Sequence, residues 1–163
     1  MLIDRIVELQ PDAKIMAVKN LTIAEEYLAD HFPHFPVMPG VLMLEAMTQA
    51  GAWLVRHAED FAHSMVVLKQ VNNIKYGQFV EPGQTLTVSA ELVSRTDSEA
   101  KLKARGTMDG RNTVSGRLVL KCYNMADTDP NRERLDQATK KEMRRLFSLI
   151  YQPTAATPET QSS

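Results

Sequence analysis

The sequence predicts an α+β domain in which one curled antiparallel sheet wraps a single long apolar helix, with an additional helix at the C-terminal end. Residues 40–55 hold only three polar side chains, Glu45, Thr48 and Gln49, whereas an ordinary surface helix carries a broad polar face. Residues 85–92, 102–108 and 114–122 alternate apolar and polar side chains, the period of a half-buried strand. Beyond a polar break, Leu135, Ala138, Met143, Leu146, Phe147 and Ile150 fall roughly on one face of a second helix.

Taken in order, residues 2–9 and 13–21 are rich in aliphatic and β-branched side chains and flank Gln10-Pro11-Asp12, which reads as strand, turn and strand. Residues 23–29 contain helix formers, with Thr22 as a candidate N-cap. Pro33, Pro36 and Pro39 then fix φ and push their predecessors toward extended backbone, so residues 32–39 form a stiff loop. Pro39 suits a helix start, and the apolar helix follows, expected to be buried on nearly all sides until Arg56 and His57 return it to solvent.

Residues 65–76 read as a strand and residues 80–84, with Pro82-Gly83, as a turn. Asp109-Gly110 is a strong hairpin signal between the last two alternating strands. A polar break over 124–131 leads to the final helix, expected over 131–152, which should cover a sheet edge or an oligomer interface. Residues 153–163 lack apolar content and are expected to be a disordered tail, leaving residues 1–125 as the main domain. A sheet whose apolar face has one apolar helix to cover should curl around it, which is the hot-dog fold.

At 163 residues the chain suits one domain, and a net charge of −1 with a pI near 6.4 argues against general nucleic-acid binding. Cys122 is the single cysteine, which excludes an intrachain disulfide and fits a cytoplasmic setting. No run of 18 apolar residues suggests a membrane span.

A carboxylate on an apolar helix is costly to ionise, so burial favours a protonated Glu45, and Gln49, four residues on, can partner it. The first-turn N–H of Gly40 has no intrahelical acceptor and lies at the positive end of the helix dipole. His31, with an ordinary value of about 6.5, can accept a proton near neutrality. His31, His34 and Glu45 could also offer three metal ligands, but no zinc-type spacing supports this, and no metal is expected. His34, His57 and His63 read as ordinary loop or surface residues.

The stretch from His31 to Gln49 closely resembles the active-site motif of bacterial β-hydroxyacyl-acyl-carrier-protein dehydratases, hot-dog enzymes of fatty-acid synthesis. The pattern His-Phe-Pro-x-x-Pro-x-Met-Pro-Gly-Val, with a carboxylate fourteen positions after the histidine, is met by His31, Phe32, Pro33, Pro36, Met38, Pro39, Gly40, Val41 and Glu45. Asp30 and Gly77 depart from the family, which often has glycine and a basic residue there.

The resemblance implies His31 as base, Glu45 as acid, Gly40 as N–H donor to the thioester oxygen, the Val37 carbonyl orienting the imidazole and Gln49 positioning Glu45. Phe32, Met38, Met43 and Met47 would line a substrate tunnel. It also implies a homodimer, in the family often three dimers to a hexamer, with the histidine of one subunit facing the carboxylate of its neighbour. The partner is acyl carrier protein, whose phosphopantetheine arm carries the substrate, and no other cofactor is expected.

Dehydrating a 3-hydroxyacyl thioester removes a weakly acidic C2 proton and expels a hydroxyl group that leaves only if protonated, hence one base and one acid. The competing readings are a hot-dog thioesterase or hydratase acting on acyl-CoA, and a catalytically silent module that binds acyl carrier protein or acyl chains.

Overall fold

The structure, a computed structural model, describes residues 2–22 and 38–153. The helix expected over 23–29, the proline-rich loop through Val37 and the tail from 154 lie outside the described residues.

Six strands form one antiparallel sheet: β1 (Arg5–Gln10), β2 (Lys14–Asn20), β3 (Met65–Tyr76), β4 (Thr85–Arg95), β5 (Glu99–Met108) and β6 (Arg111–Tyr123). Their spatial order is β1-β2-β4-β5-β6-β3. Between β2 and β3 runs α1 (Gly40–Ala58), so the chain crosses the concave face as a helix before returning as the opposite edge strand. This is the hot-dog arrangement.

The turns follow from their residues. Asp12 takes φ 58° between β1 and β2, and Gly83 takes φ 88° after Pro82. Asp109 and Gly110 take φ 50° and 77°, the paired left-handed conformations of a tight hairpin. The alternation is real in packing: Leu86, Val88 and Ala90 of β4, Leu102 and Ala104 of β5, and Val114, Leu118, Leu120 and Cys122 of β6 are buried under α1. Gly51 faces the sheet, where a Cβ would make ordinary contacts 3.4 Å from Leu102 and 3.6 Å from Leu120. β3 spans the expected residues but carries a bulge, with Asn73 at φ 55°, where its register against β6 shifts.

After two short 3-10 turns, Met125–Asp127 and Pro130–Arg132, comes α2 (Glu133–Ile150). Its first turns are anchored by a buried acid: Asp136 accepts hydrogen bonds from Ser64 Oγ and from the N–H groups of Met125 and Ala126. Further along, Phe147 packs against Trp53, His57 and Phe61, and Arg144 stacks on Phe61 while bonding Asp60. Tyr151, just beyond the helix, lines a surface groove with β1 residues. The helix therefore lies over the C-terminal half of α1.

That placement corrects two expectations. Arg56 does not return α1 to solvent; it is only 8% exposed, on the part of α1 that α2 overlies. Leu135 and Ala138, expected on the packed face, are exposed, because Asp136 holds the inward position in that part of the helix. The N-terminal half of α1 departs in the other direction: Val41 is 68% exposed and Glu45 is exposed, since one sheet wraps only one side of the helix.

Candidate active site

His31, Phe32 and Val37 lie outside the described residues. The loop's exit is fixed by Met38, whose N–H donates to the Val80 carbonyl at 2.9 Å. Pro39 then caps α1 in extended backbone (φ −58°, ψ 141°), and its carbonyl accepts from Leu42 and Met43. The amide N–H of Gly40 lies in the first turn of the helix, where no intrahelical carbonyl accepts it. A Cβ on Gly40 would fall 2.8 Å from the ring of Tyr76, so a side chain here would have to push that half-exposed ring aside. Nothing in the local sequence around Tyr76 marks this distant contact.

Glu45 and Gln49 meet as their spacing predicts. Gln49 Nε2 donates to Glu45 Oε1 at 3.3 Å. The other end of the amide is held by backbone: Gln49 Oε1 accepts from the N–H of Leu2 at 2.9 Å and of Ile3 at 3.4 Å. The residues preceding β1 thus fix the amide so that its NH2 points at the carboxylate. The expected burial of Glu45 is corrected: within one protomer this side chain is exposed, because it projects from the half of α1 that neither the sheet nor α2 covers.

Beside Glu45 a cavity of about 420 Å³ runs along α1, within the size range of small-molecule sites. Glu45, Gln49, Ala52, Trp53 and Arg56 supply one wall, Val66–Leu68 of β3 a second, and Met143 and Leu146 of α2 a third. Arg56 donates from Nη1 to the Ser64 carbonyl at 3.1 Å, and burial pulls its guanidinium below the usual arginine value. Met38, Met43 and Met47 lie elsewhere, at 1%, 3% and 0% exposure in the hydrophobic core. The participation of α2 could not be found from its apolar stripe alone, which says that the helix packs but not on what.

Gly77, one of the departures from the family pattern, has a steric cause. A Cβ there would sit 2.1 Å from the Asn112 carbonyl oxygen, and Gly77 N–H bonds the Thr113 carbonyl at 2.8 Å. Away from the cavity, burial and the nearby Glu59 charge push the Cys122 thiol up to about 11. Burial pushes the Asp136 carboxyl up, but the Ser64 hydroxyl and the Ala126 and Met125 N–H groups outweigh it and hold the group below its usual range. His63 pairs with Glu59 at 2.9 Å, and His57 sits in the aromatic cluster under α2. Among the described residues no group of three or more His, Cys, Asp or Glu side chains could hold a metal ion. No helix among them is long and apolar enough to cross a membrane.

Residues 1–122 match the FabA-like domain family. Over 122 residues the chain is 37% identical to the 3-hydroxyacyl-[acyl-carrier-protein] dehydratase FabZ of Streptococcus pyogenes serotype M3, covering 75% of this chain and 87% of that protein. The FabZ protein of serotype M1 matches with the same identity and coverage. Among solved structures, the dehydratase heterocomplex ApeI:P from Xenorhabdus doucetiae aligns with a TM-score of 0.66 at 16% identity, covering 82% of this chain and 90% of that one. A hypothetical thioesterase with coenzyme A from Streptococcus pneumoniae aligns at 0.55 with 15% identity, covering 72% and 84% respectively. The last two likenesses carry the fold alone, whereas the family match spans the whole sheet up to β6 and the Gly40–Glu45–Gln49 helix. The chain belongs to the FabA-like, hot-dog-fold family of β-hydroxyacyl-acyl-carrier-protein dehydratases.

Proposed function

We propose that the protein dehydrates a 3-hydroxyacyl thioester carried on acyl carrier protein to the trans-2-enoyl thioester, in fatty-acid or related lipid synthesis. The observation that carries this reading is the 37% identity to FabZ dehydratases over 122 residues, together with a FabA-like family match over residues 1–122 that includes the His31 to Gln49 motif. His31 takes the C2 proton, and Glu45 gives its proton to the departing 3-hydroxyl, which leaves as water. The Gly40 N–H, in the first turn of the helix, donates to the thioester oxygen as negative charge develops there. The Val37 carbonyl orients the imidazole, and Gln49, itself held by the Leu2 and Ile3 N–H groups, aims the Glu45 carboxyl. These groups suffice for the proton transfers, and the phosphopantetheine arm belongs to the substrate. A cytoplasmic location fits this carrier-bound substrate.

The working site spans two protomers. Glu45 and Val41 are exposed on α1, Tyr76 is exposed beside Gly40, and β3 is the last strand of the sheet among the described residues. A second copy on that edge covers these side chains and brings its own His31 loop to Glu45. Three such dimers make the hexamer common in the family.

Hydration of crotonyl-carrier protein, followed by loss of enoyl-thioester absorbance, tests the assignment. Wild-type activity that falls by about a hundredfold or more in both His31→Ala and Glu45→Gln is the expected result. An inert wild type, or variants with undiminished rates, would overturn it.

A further inference from the structure

The cavity beside Glu45 is walled in part by residues that lie outside the family's domain. The FabA-like match ends at residue 122, yet Met143 and Leu146 of α2 face Ala52 and Trp53 of α1 and Val66–Leu68 of β3 across the same space. Both side chains are half-buried, and they stand one turn apart on the same helix face. The opposite wall is one face of α1, from Glu45 at the outer end to Arg56 eleven residues on, a distance of about 16 Å along the axis.

We propose that Met143 and Leu146 form the outer wall of the acyl site, and that this added helix sets how long a chain the enzyme accepts. The inference rests on the dehydratase reading, which places the 3-hydroxyl carbon at Glu45, with the thioester on the Gly40 side, and so sends the rest of the chain along the groove that starts there. An extended chain advances about 1.2 Å per bond, so the groove takes roughly a dozen. Its inner end is a buried guanidinium: Arg56 spends one N–H on the Ser64 carbonyl, and an apolar chain terminus pressed against its remaining donors is penalised. Ala52, Trp53, Val66, Leu68, Met143 and Leu146 contact the methylenes before that point. Met143, unbranched and soft, fits a wall that must accommodate chains of different length.

The test uses the full-length protein, with Met143→Phe and Leu146→Phe to fill the groove and the Met143→Ala/Leu146→Ala double variant to widen it. One readout is kcat/KM for hydrating C4, C8 and C12 trans-2-enoyl thioesters on carrier protein. The other is emission of Trp53, the sole tryptophan and itself a groove residue, titrated with saturated acyl-pantetheines of the same lengths, which bind without reacting. Each methylene expelled costs roughly fourfold, so the filling variants should lower the C12-to-C4 ratio at least tenfold in both readouts, and the widened variant should raise it.

A uniform loss at every length, or an unchanged ratio, overturns the proposal even if the variants stay folded. A wild type that is inert toward all enoyl thioesters while Trp53 still reports length-dependent binding removes the dehydratase reading and leaves the groove. An active wild type whose Trp53 emission ignores chain length removes the groove and leaves the dehydratase.

Discussion

Replacing Gln49 by leucine keeps the volume of the side chain and removes three polar links at once. The Leu2 N–H at 2.9 Å is the strongest of them, the Ile3 N–H at 3.4 Å is long, and the bond to Glu45 at 3.3 Å is the one that bears on chemistry. An unpaired buried N–H costs about 1–3 kcal/mol, and because Leu2 and Gln49 are only half-buried, the low end applies, about 1 kcal/mol. For a domain of this size that lowers Tm by about 3 °C. The effect on turnover should be larger than the effect on stability, because the freed carboxyl samples rotamers in which it no longer meets the 3-hydroxyl, and misplacement by about 1 Å can cost a hundredfold. We expect kcat for crotonyl-carrier hydration to fall ten- to a hundredfold with little change in KM, alongside the small Tm loss. Gln49→Leu with unaltered kcat and the same Tm loss would refute the positioning role and reduce Gln49 to an anchor for the residues before β1.

Two glycines give opposite stability predictions. Gly51→Ala should stabilise by about 0.5–1 kcal/mol in urea unfolding, since its Cβ would make ordinary contacts of 3.4 Å or more in a helix interior. Gly106→Ala should destabilise by about 1–3 kcal/mol, because the Cβ would meet Val114 at 2.8 Å and Leu86 at 3.0 Å inside the core. Asp136 has a lowered native value, so its contribution is complete above the ordinary aspartate value of 3.8 and is lost as pH falls below that through the native one. Urea midpoints at pH 6, 4 and 3 should therefore drop less steeply in Asp136→Asn than in wild type, and parallel curves would refute the anchor. The Cys122 thiol, raised to about 11 by burial, should resist alkylation at pH 8 until urea unfolds the chain; rapid labelling of the native protein would contradict its burial in β6.

Much of the fold was legible because its signals are local. Period-two alternation in β4 to β6 follows from one face being packed on α1. The left-handed pair Asp109-Gly110 sits where the dipeptide announces it, and Pro39-Gly40 opens the helix. Within the site, Glu45 and Gln49 were legible as a pair because four residues make one helical turn. What escaped depends on distant chain: the Leu2 and Ile3 N–H groups lie 47 and 46 residues from the amide they hold, and Tyr76 reaches Gly40 from the end of β3. Asn73's bulge escaped too, since a residue that tolerates positive φ is permissive and not diagnostic.

The two misjudged ends of α1 share one cause. A nearly all-apolar helix says that it will be covered, but not by which element, and the sheet alone covers one side. Over its second half the missing cover is α2, whose Phe147 packs on Trp53 and whose Met143 and Leu146 wall the groove beside Trp53 and Arg56. Over its first half Val41 and Glu45 stay open in the single chain. An apolar helix face left open at the end that carries the candidate acid is costly in a lone protomer, and the proposed second copy would remove that cost by covering the face in the same step that completes the site.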